Sequence, residues 1–321
     1  MRRYLARRVF STLLILLIVV VLNFLLMHLA PGDPARILTG LEQPSPETLQ
    51  ALRERYGLDR PLWVQLGRYL AQVARGDLGR SIVYDQPVSQ LIAERLPATL
   101  LLTVTSAVLA FVAGTLAGTF SATRYFSRTD LFLSFASYVL YATPSFWLGL
   151  MLILVFASWL GWFPTSGMVD PRLGATGLAR LLDILRHLVL PASTLALVQV
   201  PVYYRITRSS VVSVLKEDFV TTLRATGMSE SRIFRKYALK NAILPTVTIF
   251  GLHMGYVVTG AALVEIVFGW PGMGRLMLGA VFRRDYPLLM GIYLIMSACV
   301  AAMILLTDLL YAWLDPRIRY Q

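Results

Sequence analysis

The sequence predicts an all-α polytopic membrane protein: six transmembrane helices with a small helical cap outside the bilayer. Three observations carry that reading. Of 321 residues, 56% are hydrophobic and only 15% charged, with a mean hydropathy of +0.63, which is too much apolar surface for a water-soluble globule of this length. The apolar residues gather into stretches that approach or exceed the ~20 residues a helix needs to cross hydrocarbon. A basic, glycine-punctuated segment, DFVTTLRATGMSESRIFRKYALKNAILP from Asp218 to Pro245, separates two of those stretches. Its Arg224, Arg232, Arg235, Lys236 and Lys240 stand against Asp218 and Glu230, so it belongs on an aqueous face rather than in lipid.

The first span, Val9 to Ala30, follows MRRYLARR. Its apolar run exceeds the ~7 to 15 residues of a secretory signal, and no small-residue cleavage pattern precedes Pro31. It reads as an uncleaved helix whose Arg2, Arg3, Arg7 and Arg8 keep the N-terminus cytoplasmic. The segment from Pro31 to Pro97 is too long for a simple connection and carries its own helix signals. Ser45, Pro46 and Glu47 read as N-cap, first helical position and acidic first turn, with Gly57 as the stop. A second helix is predicted from Pro61 to near Gly76, where Leu62, Leu66, Tyr69, Leu70 and Val73 form one apolar face to pack on the membrane domain.

Span two is Ala98 to Phe120, and Arg124 and Arg128 mark a short inner connection. Span three is Leu131 to Leu160, followed by a Gly- and Pro-containing outer connection, Phe163 to Arg186. Span four, Leu188 to Ile206, holds Pro191 and Pro201, which remove backbone donors and are expected to bend it. Span five is Ala242 to Phe268. Span six, Leu288 to Leu314, returns the C-terminus to the cytoplasm. The predicted organisation is therefore an N-terminal tail and first helix (1–30), an extracytoplasmic cap (31–97) and a core (98–321) whose cytoplasmic loop is 203–244. Loop charge agrees with this orientation: Tyr203 to Leu244 holds eight Lys or Arg and three acidic residues, including all three lysines of the chain, whereas Pro31 to Pro97 holds eight of each sign. The formal charge of +12 is thus an inside-facing bias toward anionic membrane lipid and a cytoplasmic partner, with no nucleic acid implied.

Several classes are disfavoured. The single Cys299 and the scattered His28, His187 and His253 suggest no disulfide framework and no metal site. A phosphate-binding loop needs GxxxxGK[ST], yet Lys216, Lys236 and Lys240 each follow Leu or Arg. An ion-coupled carrier needs ionisable groups at mid-membrane depth. An intramembrane hydrolase needs HExxH, an aspartate pair or a Ser and His pairing. An ATP-independent carrier or a membrane scaffold stays open as an alternative.

Gly227 and Leu239 match the spacing of the cytoplasmic loop of permease subunits of ATP-binding-cassette (ABC) importers: EAA, three residues, G, nine residues, I, one residue, LP. Thr221, Thr222 and Leu223 stand where EAA would be, Tyr237 where Ile would be and Lys240 where Pro would be. The whole chain resembles one branch, the dipeptide, oligopeptide and nickel permeases, in which this loop is similar to RAxG followed by ALxNAxxP. Here those residues are Arg224, Ala225, Gly227, Ala238, Leu239, Asn241, Ala242 and Pro245. Further strings of that kind are HLAPGDP (28–34), GDLGRS (76–81), ERLPATL (94–100), ATPSFWLGL (142–150), PTSG (164–167), LPASTLAL (190–197), RSS (208–210), WPGMG (270–274) and RDYP (284–287).

The resemblance implies a type I ABC importer fold in the inner membrane of a bacterial or archaeal cell. It implies a second, similar permease subunit, two ATP-binding subunits that use ATP and Mg, and an extracytoplasmic solute-binding protein. It implies no cofactor and no catalytic residue in this chain. Short peptides are the commonest cargo of such permeases, with nickel complexes or oligosaccharides as alternatives.

Within that frame Asp218, Thr222, Arg224, Ala225, Thr226, Gly227, Glu230 and Arg232 are the ATPase-coupling candidates. Gly227 lets the chain turn sharply after a short helix. Tyr138, Tyr141, Thr143, Pro144 and Trp147 on span three, with Gly255, Thr259 and Gly260 on span five, are pore or gate candidates. Helix packing is the competing explanation for each. Trp270, Pro271 and Met273 form a candidate contact for the binding protein. Glu265 and Asp308 fall near span ends, where snorkelling or an Arg partner is expected, and a gating role at the outer mouth is the alternative for Glu265.

Overall fold

The computed structural model describes residues 2–29, 45–47, 49–50, 60–174, 176–256 and 261–314. Its helices are α1 (Arg2–Leu29), α2 (Leu62–Ala74), α3 (Val88–Thr123), α4 (Arg128–Ala142) and α5 (Ser145–Leu152), the last running on into a π-helical stretch, Ile153–Trp159. Then come α6 (Gly177–Val214), α7 (Asp218–Ala225) and α8 (Glu230–Ile233), which continues through a π turn (Phe234–Ala238) into α9 (Leu239–Ala242). The chain ends with α10 (Leu244–Tyr256), α11 (Ala262–Val267), α12 (Met273–Phe282) and α13 (Tyr286–Leu314). Among the described residues the sole β feature is an isolated bridge between Arg80 and Pro87. Four helices, α1, α3, α6 and α13, are each long and apolar enough to span a bilayer, and α4 with α5 makes a fifth if the pair is one span.

The chain divides into two compact units, one formed by Met1–Thr99 with Pro271–Gln321 and one by Leu100–Trp270. In the first, α1 lies along α13, and Asn23 Nδ2 donates to the Met290 carbonyl at 3.3 Å. The α2 stripe meets α1 through Tyr69 and Phe24, whose ring centroids are 6.0 Å apart. Leu66, Tyr69, Leu70 and Val73 are half-buried, but Leu62, expected on the same face, is exposed. Of the first cap helix the structure describes a turn in which Leu49 N–H donates to Ser45 O at 3.1 Å; Gly57 lies outside the described residues. Two strings far apart in sequence meet here. Asp285 of RDYP is fully buried, accepts the Ser81 hydroxyl of GDLGRS, and takes the N–H groups of Ile82 and Val83 at 3.3 and 3.2 Å. The same carboxylate caps α13 by accepting Leu288 N–H at 3.3 Å, the role of a short acidic side chain at a helix start.

In the second unit α3 and α6 approach closely because glycine faces backbone. A Cβ on Gly114 would come within 2.7 Å of Tyr203 Cβ and 2.8 Å of Val200 O, and one on Gly118 within 2.6 Å of Tyr204 O. Small residues at four-residue spacing allow this approach in membrane helices. Around that seam Ala110, Ala196 and Tyr203 form a buried cluster with Phe111, Val200, Ile249 and Phe250 against it. Thr207 and Thr246, both fully buried, share a hydrogen bond of 2.9 Å between α6 and α10.

Helix α6 is continuous through Pro191 and Pro201, although each proline removes one backbone donor, and two other expectations change. The sharp break comes instead at Pro144, where α4 and α5 meet at 106°. The residue before a proline is driven out of the α region, and Thr143 is extended at φ −82, ψ 125 while its Oγ1 satisfies Val139 O at 2.7 Å. Finally, α3 begins at Val88, ten residues before the predicted Ala98, and passes through Pro97.

Candidate coupling and translocation site

The coupling candidates fold as a helix, a left-handed turn and a second helix start. Asp218 lies in the first turn of α7 and Arg224 in the last, each sign placed favourably for the helix dipole. Thr222 Oγ1 closes back on Asp218 O at 3.0 Å. After Ala225 and the C-cap Thr226, Gly227 takes φ +79 with no atom near a built Cβ. Gly227 N–H donates to Arg224 O at 3.0 Å and Met228 N–H to Leu223 O at 3.3 Å. Those two bonds make a Schellman stop, which requires the left-handed residue that glycine supplies. Across the turn Arg224 grips Glu230 with two hydrogen bonds, 2.6 and 3.2 Å. Arg224 in turn holds the Glu230 carboxyl below the ordinary glutamate range.

One side of this segment is seated and the other is free. Val220 and Ile233 are fully buried. Phe219 and Phe234 pack on a cluster made by Ala122 of α3, Val211 and Val214 of α6, and Ala238 and Ala242. Asp218, Thr222, Arg224, Ala225, Thr226, Gly227, Glu230 and Arg232 are exposed. The segment thus presents a polar face while its apolar face is fixed to the ends of two long helices.

Next to that seat lies a polar cluster that sequence reasoning missed. Asp130, 3% exposed, accepts Arg208 Nε and Nη2, both at 2.7 Å. It also accepts the Ser121 hydroxyl and Phe126 N–H at 3.0 Å. Tyr204 OH links Ser121 at 2.7 Å and Ser134 at 2.9 Å. The Arg208 guanidinium lies 5.1 Å from the Tyr125 ring. Three helices, α3, α4 and α6, are tied by one carboxylate. The signal was present but quiet: Asp130 stands three residues after the N-cap Ser127, whose Oγ accepts its N–H at 3.2 Å, so it reads as an ordinary first-turn acid on a solvated helix.

Of the pore candidates, Tyr138 and Tyr141 are exposed on α4 and come together with Arg205 of α6, whose guanidinium is 4.8 Å from the Tyr141 ring. Thr143, Pro144 and Trp147 lie at the 106° break and just beyond it, with Trp147 49% exposed. Gly255 is on α10, while Thr259 and Gly260 lie outside the described residues. Glu265 does not snorkel: it sits on α11 with no exposed surface. The side chain of Asp308 lies outside the described residues. Trp270 and Met273 are fully buried, and Pro271 is partly exposed. Among the described residues no three His, Cys, Asp or Glu side chains are grouped to hold a metal ion.

Residues 114–320 match the family described as binding-protein-dependent transport system inner membrane component, and residues 1–103 match its N-terminal family. The chain belongs to this family. Its relatives include the oligopeptide transport system permease protein AppB of Bacillus subtilis (strain 168), 40% identical with all of both chains covered. The dipeptide transport system permease protein DppB of Alkalihalophilus pseudofirmus is 36% identical, also over all of both chains. The glutathione transport system permease protein GsiC of Salmonella paratyphi A is 40% identical over the same extent. A chain of a solved amino acid ABC transporter superposes with a TM-score of 0.47 at 20% identity, covering 71% of this chain and 94% of its own; the assignment does not rest on it. This permease is therefore a membrane component of a transport system rather than a soluble factor.

Proposed function

We propose that this permease forms half of the translocation pore of an ABC importer for short peptides, delivered by an extracytoplasmic binding protein. The observation that carries the reading is full-length similarity, without gaps in coverage, to permeases named for oligopeptide, dipeptide and glutathione transport. A second, similar permease completes the pore. Two ATP-binding subunits bind ATP and Mg and hydrolyse the nucleotide, so this chain is a transport subunit and not an enzyme. Nickel complexes and oligosaccharides are the competing cargoes.

The coupling surface is the polar face from Asp218 to Arg232. Charged groups around a short helix suit a cleft on a soluble ATPase, and the apolar seat under Phe219 and Phe234 passes its displacement to α3 and α6 as rigid-body motion. Six spans follow if the α4–α5 pair and the α10–α11 region each count as one, with 1–30, the cap 31–97 and the core 98–321 as the organisation and both termini cytoplasmic. Tyr138, Tyr141, Thr143, Pro144, Trp147, Gly255 and Thr259 line or gate the path. The Trp270, Pro271 and Met273 turn meets the binding protein through Pro271, the member of the turn with exposed surface.

The test is uptake by reconstituted vesicles that hold both permeases and the ATPases, with ATP inside and the binding protein and peptides outside. ATP-dependent accumulation of labelled di- and tripeptides is expected. Accumulation of nickel complexes or oligosaccharides instead would replace the cargo, and peptide uptake without ATP or without the ATPases would overturn the importer.

A further inference from the structure

A cavity of about 200 Å³ beside the Asp130 cluster is lined by Ser134, Ser137, Tyr138, Tyr204, Arg205 and Arg208. Its polar groups are unevenly satisfied. Arg208 is held in two-point contact by Asp130, and Ser134 is taken by Tyr204. Arg205, by contrast, has no carboxylate within ion-pair distance among the described residues and rests only on the Tyr141 ring. Ser137 is 6% exposed, and its buried hydroxyl has no hydrogen-bond partner among the described residues. A buried hydroxyl without a partner is costly. A second, more open groove of about 570 Å³ also has Arg205 in its wall, with Ser209, Ser210 and Ser213 nearby. Arg205 is the one residue, with its charge uncommitted, that lines both spaces.

We propose that Arg205, with Ser137 and Tyr138, forms a subsite for a carboxylate of the transported substrate, namely the free C-terminal carboxylate of a short peptide. The proposal rests on the peptide-import reading and deepens it. Charge selects the ligand: one uncommitted guanidinium in this cavity balances a single negative charge. Shape selects it further, because the planar fork of arginine matches two carboxylate oxygens and leaves hydroxyl donors to complete the coordination. The tyrosines give the remainder of the ligand an aromatic wall. Arg205 lies nine residues before the end of α6 at Val214, roughly 13 Å along the helix at 1.5 Å per residue. The subsite therefore sits toward the end of α6 that carries the coupling segment, where a substrate is held last before release.

The deciding experiment uses the full complex with its partner permease and ATPases in nanodiscs, without the binding protein, titrated with trialanine, trialanine amide, acetate and inorganic phosphate. Trialanine is expected to bind at least about tenfold more tightly than its amide. Arg205→Gln should abolish that preference, Ser137→Ala should reduce it about threefold, and Arg205→Lys, which keeps charge and loses the fork, should fall between. Equal binding of acid and amide overturns the subsite. So does an unchanged preference in an assembled Arg205→Gln complex; should that variant fail to assemble, an unchanged preference in Arg205→Lys and Ser137→Ala together overturns it equally. Phosphate displacing trialanine as well as trialanine displaces itself also overturns it, by making the site a general anion site. Arg205-dependent acetate binding with neither peptide bound keeps the carboxylate subsite and sinks the peptide reading, whereas no binding of any of the four sinks the subsite itself.

Discussion

Two arginine–carboxylate pairs in this chain have nearly the same chemistry and opposite surroundings. Arg208 and Asp130 make a two-point contact with side chains 27% and 4% exposed; Arg224 and Glu230 make another with side chains 44% and 67% exposed. The first joins residues 78 apart in sequence, the second residues six apart. An exposed pair is screened and gains little, whereas a buried one becomes expensive to break because the survivor is left charged and dry. The permease therefore has a fixed knot where α3, α4 and α6 converge and an adaptable clasp on the exposed face of the segment proposed to meet the ATPases. Between them lies the apolar seat of Ala122, Val211, Val214, Phe219 and Phe234. In the proposed coupling, displacement of the exposed segment would pass through this seat into the block held by the knot.

Breaking the knot should have the largest effect. Asp130→Ala leaves Arg208 without its carboxylate, and the cost is expected near 3 kcal/mol, the low end for a broken buried pair, because Arg208 keeps some water access. Purified complex should show a clear drop in thermal midpoint and yield. Replacing both residues together (Asp130→Leu with Arg208→Met) should recover most of that loss, since no lone charge remains; a double variant as damaged as the single would show the pair is not the source. Next in size is the seam. A leucine at Gly118 drives a side chain into the Tyr204 carbonyl, where even a Cβ would stand at 2.6 Å. The expected cost of such overpacking is about 1–3 kcal/mol, read as reduced thermal stability, and Gly67→Leu, with nothing within 4 Å of its Cβ, should be nearly silent.

The turn at Gly227 beside the clasp was legible in the sequence, while the Arg224–Glu230 pair itself and the knot were not, for a physical reason. Asp218, Arg224 and Gly227 write a helix start, end and stop in ten consecutive residues, and local rules suffice to read them. Asp130 acquires its meaning only when α6 brings Arg208 and Tyr204 to it across the fold. Prolines show the same limit: the residue alone does not say that Pro144 breaks a helix while Pro191 and Pro201 ride inside one, because neighbours decide. The polar Gln90, Glu94 and Arg95 hid the early start of α3, and Glu265 looked like a span-end charge until packing placed it inside. GDLGRS and RDYP were visible as strings; that Ser81 meets Asp285 was not.

Smaller effects come from the clasp. Gly227→Ala has room for its methyl group, so its cost is the left-handed φ of +79 alone, about 1–2 kcal/mol locally. Peptide uptake should fall more than fold stability, since the turn aims the docking face; an equal fall in both would mean the turn serves folding only. Breaking the pair itself should be mildest. Glu230→Gln is expected to leave the thermal midpoint unchanged and to weaken ATPase association modestly, by less than Gly227→Ala. The pH dependence has a definite sign. Because Arg224 lowers the Glu230 pKa, the pair's contribution is complete above the ordinary glutamate value and fades only as pH falls through the lowered one. The ratio of parent to Glu230→Gln association should therefore be flat from pH 8 to 6. A ratio that fell across that interval would assign the titration to another group and remove the clasp from the coupling surface.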